Sequence, residues 1–263
     1  MSDSFFPASP RVIYEKTPLR EVICQLRFPP ILRVEAQTPA DFQDRIRERF
    51  PLLERNQPMT AGILAQLPNE LRNALPAQIS STSYIFRADD GFSHLTLNPD
   101  SLALTVTNYT RWEDFREQLF PALDALIEIY KPAHFSRVGL RYLNVILRDS
   151  LGLGGLPWGD ILIPEIVGEL RLPQWEAGVE DARHVIRSKI ANSSDAVLFQ
   201  HGLAQVEGET ETGYALDFDF YTDIRTDVGD AHATVDRLNG YTGPAFRWCI
   251  KPVVHAAMGP REL

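Results

Sequence analysis

Two carboxylates, Asp217 and Asp219, and two arginines, Arg137 and Arg141, have the spacing from which a site could be built in this chain. In the stretch YALDFDF, residues 214 to 220, the apolar Tyr214, Leu216, Phe218 and Phe220 alternate with the other positions. A strand would therefore turn both aspartates to one side. Carboxylates at i and i+2 on a strand face can hold a hard divalent cation. In FSRVGLRYLNVILR, residues 135 to 148, Val138, Leu140, Tyr142, Asn144 and Ile146 point one way, and Arg137, Gly139, Arg141, Leu143 and Val145 the other. A guanidinium is costly to bury alone, so two of them at i and i+4 must meet solvent or an anion. They are suited to grip phosphate oxygens in pairs.

The same period-two reading of REVICQLRF, residues 20 to 28, sets Glu21, Gln25 and Arg27 apart from the core positions, and a later strand adds Arg187 and Lys189. Glu21, Gln25, Arg27, Arg137, Arg141, Arg187 and Lys189 are thus the expected ligand-binding set, with Asp217 and Asp219 as metal ligands. Two functions follow from this surface. The first is a binding module that presents a polar, concave sheet face to a small anionic ligand or a protein partner, a homodimer included. The alternative is a metal-dependent enzyme acting on phosphate esters or nucleotides, with Arg137 and Arg141 stabilising charge in the transition state. Against both stands a plainer arrangement, in which the aspartates pair across strands with Arg137, Arg141, Arg187 or Lys189 and keep the face wet. His94, His134, His184, His201, His232 and His255 are scattered without zinc-ligand spacing, although His201 and His232 could lie near the acidic strand. The glycines at 152, 154 and 155 lack the lysine and hydroxyl of a phosphate loop.

The elements that must position these residues are read from periodicity and turn chemistry. Residues 1 to 18 form an extended lead-in. A strand from Arg20 to Phe28 is stopped by Pro29 and Pro30, and Thr38-Pro39 starts a helix carrying Phe42, Ile46 and Phe50. From Met59 to Asn108 an antiparallel meander is expected, clearest at Ser83 to Ala88, Phe92 to Leu97 and Leu102 to Thr107. Thr110 and Glu113 have capping-box spacing ahead of a long amphipathic helix that ends before Pro132. Beyond the central strand, three more strands are expected at Val185 to Ala191, Val197 to Leu203 and Gly213 to Tyr221. Two helices, Asp227 to Leu238 and Ala245 to His255, follow them, separated by Gly240 and Gly243-Pro244. This order predicts an α+β protein built as a tandem duplication of a βαβββα unit, residues 19 to 132 and 133 to 263. Curved antiparallel sheets would lie side by side, with the helices packed on one face.

The 263 residues suffice for one large core or two ordinary ones. With 35 acidic against 26 basic residues, a net charge of -9 argues against a nucleic-acid surface. Cys24 and Cys249 have no metal-ligand neighbours and read as buried thiols of a reducing compartment. The start of the sequence lacks the pattern of a secretory leader, and no apolar run spans a bilayer, so a cytoplasmic protein is expected.

Three stretches carry a family resemblance: PLREVICQLRFPP at 18 to 30, RVGLRYLN at 137 to 144 and YALDFDF at 214 to 220. In these the chain resembles a sporadically distributed bacterial family of uncharacterised proteins of about this length. The resemblance implies no activity, cofactor or catalytic residue. The patchy distribution of that family implies mobile or defence-linked genes, and its members imply a closing helix longer and more continuous than Gly240 and Gly243-Pro244 predict.

Overall fold

The computed structural model describes residues 5–56, 82–172, 175 and 178–262. Most of its strands form one nine-stranded antiparallel sheet, in the order β3-β4-β5-β6-β2-β7-β10-β9-β8. Two strands lie at the centre, β2 (Leu19–Arg27) and β7 (Arg137–Ile146), and they pair directly. Outward from β2 run β6 (Ser101–Val106), β5 (Ser93–Asn98), β4 (Ser83–Arg87) and the edge strand β3 (Leu52–Asn56). Outward from β7 run β10 (Thr212–Thr222), β9 (Ala196–Gln205) and the edge strand β8 (Arg183–Lys189). The two expected sheets are therefore one, because the first strand of each half hydrogen-bonds to the other. The part of the expected meander that falls on residues 57–81 lies outside the described residues.

Alternation along the central strands explains why only one face is covered. Val22, Cys24 and Leu26 of β2, Val138 and Leu140 of β7, and Leu216, Phe218 and Phe220 of β10 are almost wholly buried on one side. That side is capped by two 19-residue helices, α3 (Trp112–Tyr130) and α6 (Ala231–Cys249). Each follows the last strand of its half, and each sets an apolar stripe on the sheet: Phe115, Leu119, Leu123 and Leu126 from α3, Val235, Leu238, Ala245 and Cys249 from α6. Burying a side chain of this size contributes roughly 1.5–3 kcal/mol. Phe42 and Ile46 of α2 (Ala40–Ile46), which follows the short α1 (Leu32–Ala36), extend the same core beside α3.

Three local expectations are overturned. The helix after Thr38 begins at Ala40 with Pro39 at its cap and no side-chain cap bond. The capping box ahead of α3 does not form, because Glu113 is taken by Arg11 from a distant part of the chain and Thr110 donates to Asp114 at 2.5 Å instead. Gly240 and Gly243-Pro244 do not divide two helices: α6 runs unbroken through them, and the break comes at Ile250, before α7 (Pro252–Ala257). Tertiary burial of Thr242, Ala245 and Phe246 outweighs the low helix propensity of their neighbours.

The expected lead-in is a fastened strap. Its β1 (Val12–Tyr14) pairs with the carboxy-terminal β11 (Pro260–Glu262), and the backbone N–H groups of Glu15 and Lys16 continue the ladder to Gly259 and Met258. Among the described residues between the central strand and β8, the short helices α4 (Trp158–Ile161) and α5 (Pro164–Val167) cover the second half of the core.

Candidate functional site

The strand registers place all nine expected site residues on the uncovered face of the sheet. Across the central strands Glu21 lies opposite Leu143 and Leu143 opposite Asp217; one row on, Ile23, Arg141, Asp219, Leu198 and Arg187 follow one another. A further row joins Gln25, Gly139, Tyr221, Ala196 and Lys189, and Arg27 faces Arg137 beyond it. Common facing does not bring them all together. Arg187 is three strands from Arg141, about 14 Å at ordinary strand spacing, and Arg27 turns to Asp100 at 3.5 Å.

At the centre the charges meet one another. Arg141 donates to both carboxylate oxygens of Asp217, at 2.7 and 2.6 Å, and Arg137 donates to Asp219 at 2.7 Å. Arg137 reaches its partner by lying across Gly139, where a Cβ would overlap the guanidinium, and its charge rests 4.7 Å from the centre of the Tyr221 ring. The hydrogen bonds to Asp217 hold the Arg141 guanidinium more firmly charged than usual. Burial pushes the Asp219 carboxyl up, against the pull of Arg137.

Asp217 and Asp219, the expected metal ligands, are thus each paired with an arginine. Both oxygens of Asp217 are engaged by one guanidinium, which a hard cation would have to displace, and no third carboxylate, histidine or cysteine joins the pair among the described residues. The same pairs set Arg137 and Arg141, two of the expected anion ligands, against carboxylates. His201 and His232 are not near these carboxylates. His201 sits on the helix side of β9, opposite Leu216, bonded to the Tyr214 hydroxyl at 2.9 Å and stacked on His184. Burial, and then the neighbouring His184, lower its pKa to about 4. His232 pairs with Asp124 at 3.1 Å between the two long helices.

A cavity lies on the other side of the sheet, at the seam between the two halves. It encloses about 500 Å³, well within the range of small-molecule sites. Its floor is Leu19 of β2 with Tyr142 and Asn144 of β7; one wall is the start of α3, the other the middle of α6, and the strap from Ser9 to Tyr14 forms the roof. The strap is held on both sides. Arg11 makes two bonds to Glu113 of α3, at 2.8 and 2.7 Å, and the Tyr14 hydroxyl lies 2.9 Å from Nδ1 of His255 in α7. Those bonds to Arg11 hold the Glu113 carboxyl down at about 2.

Inside, Tyr142 Oη lies 3.0 Å from Oδ1 of Asn239 and 3.3 Å from Tyr109 Oη. Burial raises Tyr109 to about 12 and also pushes Tyr142 well up, so both phenols remain neutral at ordinary pH. Asn239, Gly240, Gly243, Phe246 and Arg247 recur at three- and four-residue steps and form the α6 wall. A Cβ at Gly240 or Gly243 would meet nothing within 4 Å. Each glycine nonetheless costs a helix about 0.5–1 kcal/mol relative to alanine. No neighbouring side chain demands them, and both are exposed where they border the cavity. Pro244 has no N–H for the Gly240 carbonyl four residues back, so a second polar group on this wall lacks its usual helical partner.

None of these pocket residues was expected as a site residue from the sequence. The usable signal was Gly240 and Gly243-Pro244, which marks a helix face kept bare as readily as it marks a break. Comparison of the sequence with protein-family models and with curated proteins finds no match. Fold and site together define an antiparallel α+β body with one covered sheet face and a seam pocket beneath a strap. Among the described residues no helix is long and apolar enough to cross a membrane.

Proposed function

We propose that the protein is a non-catalytic binding module and that its ligand is a small organic molecule held in the seam pocket, with the open sheet face as scaffold. The observation that carries this is the pair of helix glycines bordering a cavity of about 500 Å³ to which both halves and the strap contribute. The repeated outward strand order supports the duplication inferred from element order, and a seam between duplicated halves is a favoured place for a ligand. The two buried free thiols fit a reducing, cytoplasmic setting.

The uncharged naphthalene probe N-phenyl-1-naphthylamine tests this reading by fluorescence titration. One site per chain is expected in the parent, and Gly243→Leu, which projects a side chain into the cavity, should remove it while the far-ultraviolet circular dichroism stays unchanged. Equal binding by parent and variant would place the probe elsewhere and refute the assignment.

A further inference from the structure

Arginines in this molecule generally stand against carboxylates, as a chain with nine more acidic than basic residues would lead one to expect. The pocket departs from that pattern. Three arginines line it, Arg11, Arg111 and Arg247, and among the described residues no aspartate or glutamate does. Arg11 is neutralised from behind by Glu113, and Arg111 by Asp114 at 2.8 Å. Arg247 makes one bond, to the Ile250 carbonyl at 3.2 Å, and no carboxylate lies within ion-pair reach of it among the described residues. Its field acts on Tyr14 and His255, which places the charge beside the fastened end of the strap.

Five aromatic side chains share the cavity with the arginines. Tyr14, Tyr109, Trp112, Tyr142 and Phe246 line the same cavity. Rings of this kind bind flat apolar bodies by area and edge contacts, and a half-buried guanidinium attracts a counter-charge with two-pronged hydrogen bonding.

We propose that the pocket takes an aromatic organic acid carrying a single negative charge, its acidic group on Arg247 and its ring system against Phe246 and Tyr14, whose ring centres lie 6.1 Å apart at that end of the cavity. This rests on the pocket being the binding site, and it names the ligand class. A single charge is inferred because only one of the three guanidinium groups lacks an acidic partner, so a polyphosphate would leave most of its charge unmatched. Tyr142 gives its proton within the Tyr109–Tyr142–Asn239 chain, which leaves the Tyr109 hydroxyl and the Asn239 amide nitrogen to serve polar substituents at the far end.

Arg247 also stands in the last turn of α6, where a cation bonded to a terminal carbonyl supports the helix. The experiment must therefore separate binding from support. Fluorescence titration compares 1-anilinonaphthalene-8-sulfonate with N-phenyl-1-naphthylamine, the same ring system without the sulfonate. The anionic probe should bind the parent about tenfold or more tightly than the neutral one, a difference on the scale of one charge-assisted contact. In Arg247→Met that preference should fall to about threefold or less, with neutral-probe affinity held, and Arg247→Lys should recover part of it.

Equal affinity of the two probes for the parent overturns the ligand class and leaves the pocket standing. An anionic preference that persists in Arg247→Met, with only the melting temperature lowered, assigns Arg247 to helix support and also overturns the proposal. If neither probe binds the parent, or if Gly243→Leu changes neither, the failure lies with the pocket itself.

Discussion

On the open face of the sheet Arg141 and Asp217 lie on adjacent strands and close on each other with two hydrogen bonds; on the covered face Arg247 lines a cavity and, among the described residues, has no carboxylate within ion-pair reach. The first arrangement has the richer sequence signature and the poorer chemistry, since its charges are already matched. The second is built from glycines, tyrosines and one arginine that no motif connects. A charged pattern on a strand face reports that polar groups share a surface. Whether they are free to act depends on what stands one strand away.

The contrast is broken most forcefully at Arg141. Its partner Asp217 is only 7 % exposed, so Arg141→Met would leave a buried carboxylate without a counter-charge and cost about 3 kcal/mol in urea unfolding. Adding Asp217→Leu should restore most of that stability, because a matched apolar pair replaces a matched charged pair. A double variant no more stable than the single one would show that the ladder does more than satisfy itself.

Next in size is His201, buried on the helix side of β9 and bonded to the Tyr214 hydroxyl. Its folded pKa of about 4 lies below the ordinary 6.5, so between those values the unfolded chain binds the extra proton. Stability from this group is complete above pH 6.5 and is lost as pH falls toward 4. The loss amounts to at most roughly 3 kcal/mol. Chemical denaturation of His201→Phe across that range should show a flatter profile than the parent; an unchanged slope would assign the acid sensitivity to other groups.

The smallest effect sharpens the seam. Gly240→Ala and Gly243→Ala should each raise stability by about 0.5–1 kcal/mol, because the added methyl meets open space and the unfolded chain loses freedom. Thermal unfolding reads this directly. Destabilisation would mean that the glycines serve the packing of α6 and not the cavity.

The strands of this fold were largely legible because their cause is local. Alternation in REVICQLRF and YALDFDF reports which side is buried whatever the neighbouring strand, and the shared facing of Glu21, Arg141 and Asp219 followed from it. The partners of those residues did not follow, since a register between segments some 75 residues apart is set by pairing and not by spacing. The short β1 and β11 were illegible for a similar reason: three residues at each end of the chain become strands only by meeting. At α6 and at the start of α3, local rules pointed the wrong way. Glycine, proline and a capping box are weak preferences, of about 1 kcal/mol each, and core burial on one helix and the Arg11–Glu113 tie on the other overrode them.

By itself, then, the sequence determined the class of fold, the buried and open faces of its strands, and the presence of opposite charges at Arg137, Arg141, Asp217 and Asp219, because each of these is a property of neighbours along the chain. Tertiary structure alone decided that two half-sheets join through β2 and β7, that those charges neutralise one another, and that a cavity remains under the strap. The reason is physical. Periodicity acts over a few residues, whereas an ion pair or a pocket depends on which distant surfaces come within a few ångströms.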